Sequence, residues 1–287
     1  MTGWLVASDV DHTLLERSEE APLAGESLRH LHRLGATTLL ASSKTFGEMV
    51  TLHEDAGLAP QPFLFENGLG IGWPLGRGEG EWPAPPLLRR GDYGAVVLER
   101  DGDPERLADL LRTLRTRGGP RFELLGDLPA DRVARMLGLS EAGVGLALER
   151  LATVPLVWED DEAALCRLRG ALAAHGLSAV CGGRLVHVGP AGSKGESLAR
   201  VLPWLGGGGS GAGDVLACGD AETDRSLLEN AAVALVFHPE GSPPLSLAAP
   251  PAGREPLRRD VVAGGPRRWL EAVEAALVAA GPPRGTR

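Results

Sequence analysis

Short apolar runs along the chain alternate with stretches in which leucine recurs every three or four positions. Residues 4–8 form a brief apolar run suited to a buried strand. After a polar turn, residues 22–34 place Leu28, Leu31 and Leu34 at helical spacing and stop at Gly35. Residues 37–41 read as a second strand. Residues 46–56 put Phe46, Met49, Val50 and Leu52 largely on one side of a helix that ends at Gly57, and residues 62–65 read as a third strand. This β-α-β-α-β series predicts a parallel sheet with helical crossovers.

Residues 70–91 are rich in glycine, proline and tryptophan and read as an exit linker. Beyond them come a strand at 95–98, a helix at 104–117, a further strand with two helical stretches, a strand at 154–158 and a helix at 160–175. Two short strands, 179–181 and 185–188, then flank Gly182-Gly183, the chemistry of a tight hairpin turn. After Lys194 the earlier pattern resumes: a helix at 195–205, a strand at 215–218, a helix at 222–230, a strand at 232–237, a loop-like stretch at 239–266 and a last helix at 267–280. The run 206–211 has no lysine behind it and precedes a strand, so it reads as a plain loop and not as a phosphate cradle. The fold class expected is α/β: a doubly wound, mainly parallel, Rossmann-like sheet built from residues 1–90 and 190–287, with a small α+β block inserted at 91–189.

Composition narrows the function. A chain of 287 residues that is 43% hydrophobic is long enough to bury a core of its own. A net charge of −9 offers no basic surface for a phosphate backbone, so nucleic acid is not an expected partner. Cys166, Cys181 and Cys218 are too few and too scattered for a disulfide framework, and no apolar run reaches the length of a membrane span. A cytoplasmic protein is expected. Of the 29 basic side chains all but two, Lys44 and Lys194, are arginine, which marks those two as places where a compact ammonium is needed.

Asp9-Val10-Asp11-His12-Thr13 comes directly off the first strand, and residues two apart on extended chain face the same way. Asp9 and Asp11 should therefore project together beyond the carboxyl end of the sheet, where open α/β sheets bind ligands. Ser42 follows the second strand, Gly219-Asp220-Ala221-Glu222-Thr223-Asp224 follows the strand at 215–218, and Lys194 opens the helix after the inserted block. Each alone has an ordinary structural use as a cap, a turn or a surface residue. Together they gather carboxylates, a hydroxyl and one of two lysines on one rim, which suits phosphoryl transfer. Oxygens of Asp9, Asp220 and the backbone of residue 11 would hold Mg²⁺, and Ser42 and Lys194 would hold the phosphoryl oxygens. One carboxylate would attack phosphorus while another moves the proton; spacing does not assign which.

Asp9-x-Asp11-x-Thr13, Ser42, Lys194 and Gly219-Asp220-x-x-x-Asp224 resemble the four ordered motifs of the haloacid dehalogenase superfamily, and the inserted block resembles its C2-type cap. The resemblance implies Asp9 as nucleophile, Asp11 as acid and base, and Mg²⁺ held by Asp9, the Asp11 carbonyl and Asp220 with Asp224 in support. Ser42-Ser43-Lys44-Thr45, Glu66-Asn67-Gly68, Glu149-Arg150, Gly182-Gly183-Arg184 with His187, and Ser193-Lys194-Gly195 are similar to the mannosyl-3-phosphoglycerate phosphatases. That implies a phosphoric monoester hydrolase making mannosylglycerate, a compatible solute, with substrate contacts from Ser43, Lys44, Thr45, Asn67, Arg150, Arg184 and His187. His12 stands where such families carry glycine, and Ala221 and Thr223 stand where serine and asparagine are common. The competing readings are a phosphatase for glucosyl-3-phosphoglycerate or sucrose 6-phosphate, a phosphomannomutase-type phosphotransferase, and a non-catalytic sugar-phosphate binder. In each the partner is a small phosphorylated sugar or glycerate.

Overall fold

The computed structural model describes residues 3–76, 85–98, 103–116, 119–182, 185–205, 215–250 and 256–283. Arg184 and the glycine run at 206–211 lie outside the described residues. The first half begins with β1 (Leu5–Ser8), α1 (Ala21–Arg33), β2 (Thr37–Ala41), α2 (Phe46–Asp55), β3 (Phe63–Phe65), β4 (Gly70–Pro74), β5 (Leu88–Arg90) and β6 (Tyr93–Val97). A second group follows: α3 (Pro104–Thr116), β7 (Phe122–Leu124), α4 (Ala130–Leu137), α5 (Glu141–Leu148), β8 (Val154–Trp158), α6 (Glu162–Ala173), β9 (Leu177–Gly182) and β10 (Leu185–Pro190). The chain ends with α7 (Lys194–Val201), β11 (Val215–Gly219), α8 (Arg225–Asn230), β12 (Val233–His238), β13 (Leu257–Val262) and α9 (Gly265–Ala280).

Nine strands form one sheet in the order β13-β12-β11-β1-β2-β3-β4-β6-β5, parallel from β13 to β3 and antiparallel beyond. The α/β expectation holds, and strand alternation explains it. Val6 points to a layer formed with α1, α2 and α9 through Leu28, Met49 and Trp269, while Leu5 and Ala7 point to α7 and α8 through Leu198 and Leu228. Both faces are covered, so the central strands are apolar throughout. A four-stranded antiparallel sheet, β7-β8-β10-β9, packs α3 and α6 on one face through Leu111 and Leu168. Among the described residues no helix is long and apolar enough to cross a membrane, and all three cysteines are free.

Three local readings are corrected. The stretch 70–91 contains β4 and β5, because its glycines serve packing and not flexibility. Gly70 and Gly72 pair with Phe65 and Phe63, and a Cβ on either would fall 2.0–2.1 Å from the facing phenyl ring. The strand at 93–97 belongs to the nine-stranded sheet and not to the inserted block, whose own sheet begins at β7. The stretch 239–266 contains β13, an edge strand with one neighbour whose run Arg258-Arg259-Asp260 is polar, so its pattern hid it.

Candidate active site

The carboxyl ends of β1, β2, β3 and β11 lie side by side, and the residues that follow them meet. Asp9, Asp220 and Asp224 each offer a carboxylate oxygen within 4.8 Å of the others. Lys194, at the start of α7, places Nζ 2.5 Å from Asp9 Oδ1 and 2.6 Å from Asp224 Oδ1, with 1% of its side chain exposed. Its position follows from Gly68. That residue has φ +90° and lies so near α7 that a Cβ would come 2.9 Å from Lys194 Cα, while Ser197 Oγ donates to the Gly68 carbonyl.

Asp224 accepts from the backbone amides of Asp220 and Ala221 through Oδ2, at 3.1 Å each, and from Lys194 through Oδ1. Both its oxygens are thus engaged in holding the 219–224 turn and the lysine. Thr13 Oγ1 donates to Asp220 Oδ1 at 3.2 Å. Burial and the Asp224 carboxylate push the Asp220 carboxyl up to about 6, and burial with Asp224 pushes the Asp9 carboxyl well above its ordinary range against the pull of Lys194. Burial works against the Lys194 ammonium, yet Asp224 and Asp9 outweigh it and hold the pKa above the usual lysine value. Three carboxylates facing one ammonium leave excess negative charge in a nearly dry pocket. Hard oxygens in that arrangement fit a divalent cation such as Mg²⁺.

Asp11 is half-buried and pairs with Lys44 Nζ at 2.9 Å. Burial opposes the Lys44 charge, but Asp11 and then Glu48 keep its pKa raised. Directly after Asp11, His12 takes φ +61°, so the backbone keeps the left-handed turn that glycine would make easily. Ser42 is buried at the end of β2, and its Oγ accepts from the Lys44 amide at 3.2 Å. Thr45 serves as the N-cap of α2, accepting from Glu48 N, and donates its hydroxyl proton to the Leu146 carbonyl at 2.8 Å. Its proton is therefore committed to α5. Ser43 presents its carbonyl to Arg150 Nη1 at 2.8 Å, and Arg150 Nε donates to Ala147 O.

The Asn67 side-chain oxygen is buried without a hydrogen-bond partner among the described residues. His187 is buried on β10, with its ring against Gly182 and its Nδ1 without a hydrogen-bond partner among the described residues. A Cβ on Gly182 would lie 3.3 Å from both His187 Cδ2 and Thr223 Cγ2, which places the hairpin directly over the 219–224 turn. Burial, reinforced by Arg150 and Lys194, pushes the His187 imidazole down to about 3. These surroundings favour the neutral ring. A cavity of about 510 Å³ lies within the second group of elements, lined by residues including Arg112, Arg150 and Thr153 but by none of the clustered carboxylates.

Two contributors lay outside the sequence-derived site set. Glu66, fully buried, accepts from the amides of residues 151–153; only its place in the Glu66-Asn67-Gly68 motif marked it. Trp269 donates to Ser8 Oγ, which donates to the Asp9 carbonyl at 2.7 Å, a link across 261 positions that no local pattern reveals.

No family model matches the chain. Among solved structures, the sucrose-phosphatase of Synechocystis, determined with sucrose and phosphate, is similar with a TM-score of 0.58 at 16% identity, over 96% of this chain and 98% of that one. A haloacid dehalogenase-like hydrolase of Bacteroides thetaiotaomicron gives 0.58 at 17% identity over 95% and 98%. One from Bacillus subtilis gives 0.53 at 18% over 80% and 88%. The likeness is one of architecture, and the chain has the haloacid dehalogenase-like fold.

Proposed function

We propose that the protein is a Mg²⁺-dependent phosphomonoesterase acting on a phosphorylated sugar or glycerate, with the phosphoryl group carried transiently on Asp9. The observation that supports it most is the meeting of Asp9, Asp220 and Asp224 around the buried Lys194, with the Asp11–Lys44 pair beside them. In this reading Lys194 occupies Asp9 Oδ1, leaving Oδ2 to attack phosphorus. The P–O bond to the substrate breaks as the new Asp9–phosphorus bond forms, and the departing alkoxide takes a proton from Asp11. Asp11, left ionised by that step, then accepts a proton from water as the water attacks phosphorus and the Asp9–phosphorus bond breaks, releasing phosphate, freeing the Asp9 carboxylate and returning Asp11 to its acid form. Asp9, the Asp11 carbonyl and Asp220 would hold Mg²⁺, which supplies positive charge where phosphoryl charge develops. Asp224 keeps Lys194 and the Asp220 amide in place. Ser42 faces the transferred group. The inserted block that begins beyond β6 acts as a cap that closes over it and limits water.

The substrate we favour is mannosyl-3-phosphoglycerate. The pairing of Lys44 with Asp11, the loop carbonyl of Ser43 against Arg150, and the unpartnered Asn67 and His187 atoms support a polyhydroxylated ligand under the cap. Arg184 belongs to the same proposed contact set. Sucrose 6-phosphate is the second reading, favoured by the likeness to a sucrose-phosphatase. The test is Mg²⁺-dependent phosphate release from mannosyl- and glucosyl-3-phosphoglycerate, sucrose 6-phosphate and simple sugar phosphates, with Asp9→Asn as the blank. Release from the mannosyl compound alone fits the favoured substrate. Equal, slow release across the panel, lost in the variant, keeps the phosphatase and rejects that substrate; no release anywhere rejects the activity.

A further inference from the structure

Glu66 is a carboxylate with no exposure and no role in the chemistry proposed above. It sits at φ +48° and is followed by Asn67 at φ +59°, two consecutive non-glycine residues in the left-handed region. Such a turn persists only where its surroundings over-determine it. Here Glu66 N donates to Lys44 O and Asn67 N to Ser42 O, which ties the turn to the end of β2. The side chain reaches the other way. Oε1 accepts from Leu151 N at 2.7 Å; Oε2 accepts from Ala152 N at 3.1 Å, Thr153 N at 2.7 Å and Thr153 Oγ1 at 2.6 Å. Three successive amides and a hydroxyl from the segment entering β8 thus converge on one carboxylate, with no cation among them. Arg150, the residue just before those amides, bonds the Ser43 carbonyl, and Leu146 receives the Thr45 hydroxyl.

We infer that Glu66 is a positioning residue that latches the 146–153 segment of the inserted block onto the 42–45 loop, so that Arg150 and the cap are set for substrates large enough to need both. This rests on the phosphatase reading for its kinetic consequence, but not for its structural one. A carboxylate is required because it accepts at both oxygens; an amide offers one acceptor and puts its own N–H groups against the donors. The 42–45 loop hangs on β2 and the carboxylates on β1 and β11, so a small aryl phosphate can reach them without the latch.

The test compares Glu66→Gln with the native enzyme on mannosyl-3-phosphoglycerate and on p-nitrophenyl phosphate. The inference expects KM for the large substrate to rise about tenfold or more while kcat/KM for the small one stays within about threefold. Hydrogen exchange should show the amides of Leu151, Ala152 and Thr153 opening at least about tenfold faster, with Val6 and Ala7 unchanged. Thr153→Val, which removes one donor and spares the carboxylate, should move both readouts in the same direction by less, and it serves if Glu66→Gln does not fold. Equal loss on both substrates, or unchanged exchange at 151–153, overturns the latch. If the native protein hydrolyses neither substrate, the phosphatase reading fails and exchange alone decides: faster opening upholds the latch and unchanged protection rejects it.

Discussion

The Lys194 ammonium and the Asp224 carboxylate lie 2.6 Å apart, at 1% and 0% side-chain exposure. Asp224 gives its second oxygen to two backbone amides of the 219–224 turn, so one carboxylate fixes both the lysine and the loop that carries Asp220.

Lys194→Met should remove the cation that Asp9 and Asp224 share and leave buried like charges facing each other. Breaking such a pair costs about 3–5 kcal/mol of stability, and loss of the charge at the developing phosphoryl oxygens costs about 10²–10³ in kcat. Lys194→Arg should restore much of the stability but little of the rate, because a planar guanidinium cannot fill the site of a compact ammonium. Urea unfolding and steady-state kinetics on the same preparations check both.

Asp220→Asn should weaken Mg²⁺ binding at least about tenfold, since a charged oxygen is exchanged for a neutral one within the acidic cluster. Asp224→Asn should also weaken it, but mainly by loosening the turn. Calorimetric titration with Mg²⁺ measures this without turnover, and chelation should abolish phosphate release in a way that added Mg²⁺ reverses.

His53 gives the fold a pH dependence away from the site. It is 1% exposed, bonds the Met49 carbonyl through Nδ1 at 2.8 Å, and packs on Phe63 and Tyr93. Burial pushes its pKa from 6.5 to about 4. Between those values the unfolded chain binds a proton that the folded chain refuses, so stability falls as pH drops from about 6.5 towards 4. The loss amounts to about 3 kcal/mol at 1.36 kcal/mol per unit. His53→Leu should flatten the stability profile across that window by about one proton, measured as urea midpoints against pH. An unchanged slope would show that the ring is not held neutral.

Trp269→Phe should cost about 1–3 kcal/mol, combining a lost indole donor to Ser8 with a small void in the fully buried layer between α9 and the sheet. Because Ser8 bonds the Asp9 carbonyl, kcat should fall several-fold as well, whereas a purely packing role would leave kcat intact. Thermal unfolding and kcat separate the two.

The sequence alone determined the alternation of elements, because buried parallel strands must be continuously apolar and amphipathic helices must repeat near 3.6 residues. It also determined which residues follow each strand, so Asp9, Ser42, Lys194, Asp220 and Asp224 could be named before any coordinates. Their meeting depends on strand order: β11 and β2 both flank β1, although 215 and 37 are far apart in the chain. Only the tertiary structure decided the rest. Gly70 and Gly72 read as loop residues until Phe63 and Phe65 lie across from them, and β13 reads as loop until β12 supplies its hydrogen bonds. Thr45 and Glu66 could not be separated from ligand contacts by residue type. Whether a hydroxyl or carboxylate faces substrate or chain depends on partners about 100 residues away, Leu146 and 151–153 here, and local periodicity carries no record of them.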